Sequence, residues 1–239
     1  MGPLAGAWFV QRLVQLTPAH ADQEHIPVIL RNDPRIPDRS AAKIGCGADP
    51  FDAMAEGMRF LEGAGADLIA VPCNTAHLWY DDLCATVSSP VLHIVEAVVR
   101  DLARRGLRGG KVGILGTPAT LATGLYQRFL ADAGYVPLTP SRDRIERFCE
   151  QPIKLVKANR LGEACSPVAC AVRDFAEKGA AAVVLGCTEL PLALPHAQRS
   201  GLGVCVVDSI DALAQAVIEV FAGRSVPTPR PTSPLRHVA

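Results

Sequence analysis

Short apolar runs bounded by Gly, Pro or polar residues alternate along the chain with longer amphipathic stretches. The runs Val28–Arg31, Leu68–Val71, Val91–Ile94, Val112–Leu115, Ala182–Leu185 and Val204–Val207 have the length and continuous hydrophobicity of strands buried on both faces. Between them, Leu4–Leu16, Pro50–Glu62, Val95–Arg105, Thr120–Ala133, Cys165–Lys178 and Ile210–Phe221 place apolar residues at helical spacing. The alternation predicts an α/β fold with parallel sheets covered by helices on both faces. After Gly223 the chain turns to Arg, Ser, Thr and four prolines, so residues 224–239 are expected to form a disordered Pro-rich tail.

The pattern repeats internally. "GADLIAVPCNT" from Gly65 and "GAAAVVLGCTE" from Gly179 put Cys73 and Cys187 at the same place, each after an apolar run. Downstream, "PVLHIVEAV" is echoed by "GVCVVDSIDAL", with Glu96 and Asp208 expected to open the following helices; "GTPATLATGLYQRFL" from Gly116 is echoed by "MGPLAGAWFVQRLV" from Met1. Two pseudo-symmetric Rossmann-like, or flavodoxin-like, domains are expected, one from residues 1–98 with 208–223 and one from 99–207. Lys111–Leu115 leads into Gly116-Thr117-Pro118, whereas the sequence opens at the equivalent turn, Met1-Gly2-Pro3, so the first strand of the N-terminal half is expected to be missing. Either translation begins upstream or a central strand has been lost.

Composition narrows the function classes. The 239 residues carry 24 basic and 24 acidic groups, and no Lys/Arg block offers a footprint for nucleic acid or anionic lipid. No signal peptide opens the chain and no run is long enough to span a bilayer. Eight cysteines without an export signal imply a reduced, cytoplasmic protein. None forms a C-x-x-C pair, so no metal site is expected. Cys46, Cys84, Cys149, Cys165, Cys170 and Cys205 are expected to act as small buried hydrophobes.

Cys73 and Cys187 invite a different expectation. Carboxyl ends of parallel strands line the ligand crevice of open α/β sheets, so two facing halves would set two thiols on opposite sides of one small molecule. A thiol titrates at about 8.5, near working pH, so one can remove a proton from a stereogenic carbon while the other delivers one to the opposite face.

"PCNTAH" (Pro72–His77) with "GCTELPL" (Gly186–Leu192) resembles the cofactor-independent aspartate/glutamate racemase superfamily. "MGP", "DQEHIP", "NDPRIPDR", "GTPATLATGLY" and "VKAN" resemble its aspartate racemase, or amino-acid racemase, branch. The resemblance implies a cleft between two α/β domains, no cofactor and no metal, a small amino-acid substrate, aspartate or glutamate, and a homodimer. It implies Cys73 and Cys187 as the acid/base pair, and Arg39 and Lys157 as cations for the distal carboxylate. Asn74, Thr75, Thr117 and Thr188 match positions binding the α-carboxylate or ammonium group. Glu189 would support the second cysteine or the ammonium group.

Several of these positions keep alternatives open. Lys154 lies one helical turn from Lys157 and competes for the cleft. Thr75 and Thr188 would also serve as helix N-caps, and Asn159 stands where Gly is more usual. His77 is either a general base or a packing residue. The same scaffold supports hydantoin racemisation and maleate isomerisation, and a racemase-like fold could also bind a ligand without turnover.

Overall fold

The computed structural model of the protein describes residues 1–223; the tail expected at 224–239 lies outside the described residues. The first half runs α1 (Pro3–Leu16), α2 (Arg39–Lys43), α3 (Phe51–Gly63), β1 (Ile69–Ala70), a tight helical turn (Thr75–Trp79), α4 (Tyr80–Cys84), β2 (Val91–Leu92) and α5 (Ile94–Arg104). The second half adds β3 (Gly110–Gly116), α6 (Pro118–Ala122), α7 (Leu125–Asp132), β4 (Tyr135–Leu138), α8 (Arg142–Ile145), α9 (Gln151–Lys157), α10 (Leu161–Glu177), β5 (Ala180–Gly186), α11 (Leu190–Ala193) and β6 (Cys205–Asp208), and α12 (Ser209–Phe221) is the last element among the described residues. None of the helices among the described residues is long and apolar enough to cross a membrane.

Every sheet pairing is parallel, as the alternating pattern requires: β1 pairs with β2, and the larger sheet has the order β4-β3-β5-β6. A continuous apolar core links the larger sheet to α1, α5, α10 and α12, and a smaller one forms around Met54, Met58 and Ile69. Helix α12 packs on α1 and α5, and Arg12 fastens α1 to α12 through Asp211 at 2.6 Å.

The expected helix over Thr120–Ala133 is divided, because Gly124 adopts φ 70° and separates α6 from α7. The matching helix starts of the repeat are His93 and Asp208. His93 accepts from Val95 and Glu96 amides, Asp208 from those of Ile210 and Asp211. Glu96 therefore matches Asp211, and the expectation that Glu96 opens its helix is corrected. Of the six cysteines expected to be buried, only Cys149 is; Cys46 and Cys170 are exposed, on a loop and on the outer face of α10, and Cys84, Cys165 and Cys205 are half-buried.

The strand expected at Val28–Arg31 does not form. No backbone hydrogen bond joins Val28–Leu30 to another described residue, and their side chains stay 43%, 47% and 46% exposed. The counterpart in the second half is β4, which is paired by β3. Among the described residues no strand fills that place in the first half, so Val28–Leu30 and the outer edge of β1 have no neighbour to bond.

Candidate active site

The two cysteine motifs follow β1 and β5. At the second, a Cβ on Gly186 would lie 2.9 Å from the Leu115 carbonyl oxygen and 2.8 Å from the Tyr126 ring, so only glycine fits before Cys187. The Cys187 thiol donates to Glu189 Oε2 at 3.0 Å, and the Thr188 hydroxyl reaches the same oxygen at 3.4 Å. Burial first, then the Glu189 carboxylate, push the Cys187 thiol well above its ordinary value. Cys73 adds a smaller push of the same sign on the Cys187 thiol. Cys187 therefore rests as a protonated thiol that donates to a carboxylate.

The first turn is fixed from below. Ile94 N–H donates to His77 Nε2 at 3.1 Å, which assigns the ring proton to Nδ1, donated to the Cys73 carbonyl at 2.9 Å. Burial lowers the His77 pKa to about 4. The ring thus anchors the backbone of Cys73, and its proton points away from the thiol chemistry; of the two roles open in the sequence, packing is the one observed.

Asn74, Thr75 and Thr117 are brought together across the two halves. Asn74 Nδ2 donates to Ser209 Oγ at 3.1 Å, and Tyr126 Oη donates to Asn74 Oδ1 at 2.5 Å. The hydroxyls of Thr75, Thr117 and Thr120 form a buried triangle with sides of 3.0, 3.1 and 2.9 Å. Thr117 also caps α6 by accepting from Thr120 N–H. Neither Thr75 nor Thr188 acts as a helix cap, which corrects that alternative.

A cleft of about 720 Å³ is lined in part by Ile36, Asp38, Arg39, Val156, Lys157 and Glu189. Arg39 is only 7% exposed; its Nη1 donates to the Pro37 and Ile36 carbonyls at 2.8 and 3.3 Å, and its Nε has no partner among the described residues. No ion pair to Arg39 forms within the described chain. A buried guanidinium without an ion-pair partner is costly, and on a cleft wall it is chemically suited to an anion. Lys157 also faces the cleft, 3.5 Å from Asp38, while Lys154 pairs with Glu150 at 2.7 Å. Of the two lysines, Lys157 is the one on the cleft wall. Asn159, at φ 59°, terminates α9 in the left-handed conformation that Asn tolerates best after Gly.

The cleft walls do not include Cys73, Cys187, Asn74, Thr75, Thr117 or Thr188, all of which are buried. Glu189 links the cleft to the second cysteine motif, lining the one while accepting from Cys187 of the other. Gly2 passes so close to Glu189 Oε1 that a side chain there would strike it, which accounts for the glycine of "MGP". Sequence reasoning missed Thr120, Tyr126 and Ser209. Their only signal was position: two inside "GTPATLATGLY" and one directly after Asp208.

His196, Asp208 and Asp211 place three potential ligand atoms within 4.8 Å of one another. Both carboxylates are already held, Asp211 by Arg12 and Asp208 by Arg199 at 2.8 Å. The group is an ion-pair network, a poor fit to a cation.

Residues 1–217 match the family described as Asp/Glu/Hydantoin racemase. The chain is 27% identical over 169 residues to the broad specificity amino-acid racemase RacX of Bacillus subtilis, covering 71% of each. It is 32% identical over 176 residues to the glutamate racemase of Acidothermus cellulolyticus, covering 72% of this chain and 65% of that protein. Among solved structures, the Picrophilus torridus aspartate racemase superposes with a TM-score of 0.80 at 30% identity, covering 95% of this chain and 92% of that one. Thermus thermophilus glutamate racemase gives 0.57 at 26% identity, covering 96% and 82%.

Proposed function

Since the chain belongs to the Asp/Glu/hydantoin racemase family, we propose that it racemises an acidic amino acid, aspartate or glutamate, without a cofactor, using Cys73 and Cys187 as a two-base pair. The observation that carries this reading is the occurrence of two buried cysteines at equivalent strand ends, with a buried guanidinium that has no ion pair among the described residues on the wall of the cleft that Glu189 also lines. The Picrophilus aspartate racemase and the Acidothermus and Thermus glutamate racemases are the relatives that favour an acidic substrate. Cysteine usage supports a cytoplasmic setting, and the family resemblance supports a homodimer.

In the proposed mechanism Arg39 holds the distal carboxylate, helped by Lys157 once Asp38 is displaced from it. The amino-acid end enters beneath Glu189, where Asn74, Thr75, Thr117 and Thr188 surround the α-carboxylate and ammonium group. The α-proton is a weak acid, so hydrogen-bond donors on the α-carboxylate and the adjacent ammonium must stabilise the developing carbanion. Cys187 delivers a proton to one face when Cys73, as thiolate, takes one from the other, and the reverse reaction exchanges these roles. Glu189 keeps Cys187 in the protonated form for the first direction and accepts its proton for the second.

Incubation with L-aspartate or L-glutamate in deuterated water should give the opposite enantiomer carrying deuterium at the α-carbon, read by NMR and chiral chromatography. Cys73→Ala and Cys187→Ala should each abolish inversion. Full inversion by either variant would sink the two-base assignment. A second reading, ligand binding without turnover, is favoured by the unpaired Val28–Leu30 segment; in that case aspartate would bind with no α-deuterium incorporated.

A further inference from the structure

Tyr126 touches both cysteine turns. It is fully buried at the start of α7, directly after the left-handed Gly124. Its phenol donates to Asn74 Oδ1 at 2.5 Å, beside Cys73, while its ring occupies the space a side chain at Gly186 would need, beside Cys187. Asn74 passes the contact on to Ser209 Oγ at 3.1 Å, and the Ser209 hydroxyl also lies within reach of the phenol oxygen. The three side chains come from three separate elements, the Cys73 turn, α7 and the start of α12, and all are buried.

We propose that Tyr126 is a positioning residue for the proposed racemisation, aligning the Cys73 turn through the Asn74 amide and the Cys187 turn through its ring on Gly186. The phenol donor fixes which end of the Asn74 amide is oxygen. Ser209 then takes one Nδ2–H, and the second is left for an anionic group of the substrate. Without the phenol hydroxyl the amide is free to turn over, and the donor it presents is lost. Such a residue need not touch substrate, because small misplacements of reacting groups cost large factors in rate.

The inference rests on the racemase reading, and Tyr126→Phe, which preserves the ring on Gly186, tests it in the full chain. With aspartate as probe, the variant should lose about tenfold to a hundredfold in kcat with KM changed less than about threefold. In an Asn74→Ala background the same substitution should cost less than about twofold, since its effect is transmitted through the amide. Equal losses in both backgrounds would overturn the proposal. Ser209→Ala, which removes the other partner of Asn74, should show the same non-additivity.

A measurement independent of turnover separates the two ideas. Iodoacetamide labelling, read site by site by mass spectrometry, should be at least about threefold faster at Cys73 in Tyr126→Phe. Exposed Cys46 and Cys170 should label at wild-type rates. An unchanged rate at Cys73 overturns the positioning role whether or not either protein turns over substrate. Absence of inversion by the wild-type chain defeats the racemase reading instead.

Discussion

Two buried histidines make the stability of the fold depend on pH. His77 and His93 pack edge to face with centroids 4.9 Å apart, and both use a ring nitrogen as acceptor for a buried backbone N–H, of Ile94 and Val95 respectively. Burial lowers His77 from 6.5 to about 4, and burial plus the neighbouring His77 lowers His93 to about 2. A folded pKa below the unfolded one means that the unfolded chain takes up protons first, so stability present above about pH 6.5 drains as pH falls. From pH 7 to pH 5 the unfolded rings gain protons while the folded ones stay neutral, which costs about 2 kcal/mol for each and about 4 kcal/mol together. Urea unfolding at the two pH values measures this directly. His93→Asn keeps a side-chain oxygen for the Val95 and Glu96 amides but does not titrate, so it should remove about half of the dependence. A loss below about 1 kcal/mol between pH 7 and pH 5, or the full slope in His93→Asn, would refute the reasoning.

Three further outcomes follow from the same geometry. Arg39→Leu removes a buried charge that has no carboxylate partner, so kcat/KM for aspartate should fall at least about a hundredfold while the thermal midpoint holds or rises; a lower midpoint with activity intact would contradict the anion role. Glu189→Gln removes the carboxylate that raises the Cys187 thiol, so the pH profile of Cys187 alkylation should move to lower pH, and an unmoved profile would count against the contact. Fusing a strand patterned on Gly110–Gly116 ahead of Met1 should cover Val28, Ile29 and Leu30, which are nearly half exposed; a gain of up to about 3 kcal/mol in denaturant unfolding is expected, and no gain would mean that the strand does not seat there.

The sequence was legible wherever a residue's role follows from local pattern. Continuous apolar runs such as Val112–Leu115 and Ala182–Leu185 became the centre of the larger sheet, since only doubly buried strands are apolar on both faces. β4 escaped because "YVPL" carries a proline, a residue tolerated there only because the strand lies at the sheet edge. Val28–Arg31 failed for the opposite reason: its composition suits a strand, but pairing depends on a neighbour that composition does not report. At the site, repetition revealed Cys73 and Cys187, and motif resemblance revealed Arg39 and Lys157. Thr120, Tyr126 and Ser209 act through contacts across 45, 52 and 135 residues of sequence, and no periodicity encodes such contacts.

Those long-range contacts also explain how the first half can present Cys73 at all. β1 contributes only two residues to a ladder and is paired on one side, so the sheet supplies little to hold the turn that follows it. The turn is instead held by side chains. His77 takes the Cys73 carbonyl, Ser209 and Tyr126 take the two ends of the Asn74 amide, and Thr117 and Thr120 take the Thr75 hydroxyl. Three of these five partners, Thr117, Thr120 and Tyr126, belong to the second half, and Ser209 opens the closing helix. The second cysteine needs no such network, because β5 is paired along both edges and delivers Cys187 from a rigid strand. The two thiols are thus held by different physical routes, Cys187 chiefly by backbone pairing and Cys73 by buried polar contacts, so substitutions distant in sequence disturb the position of Cys73 more.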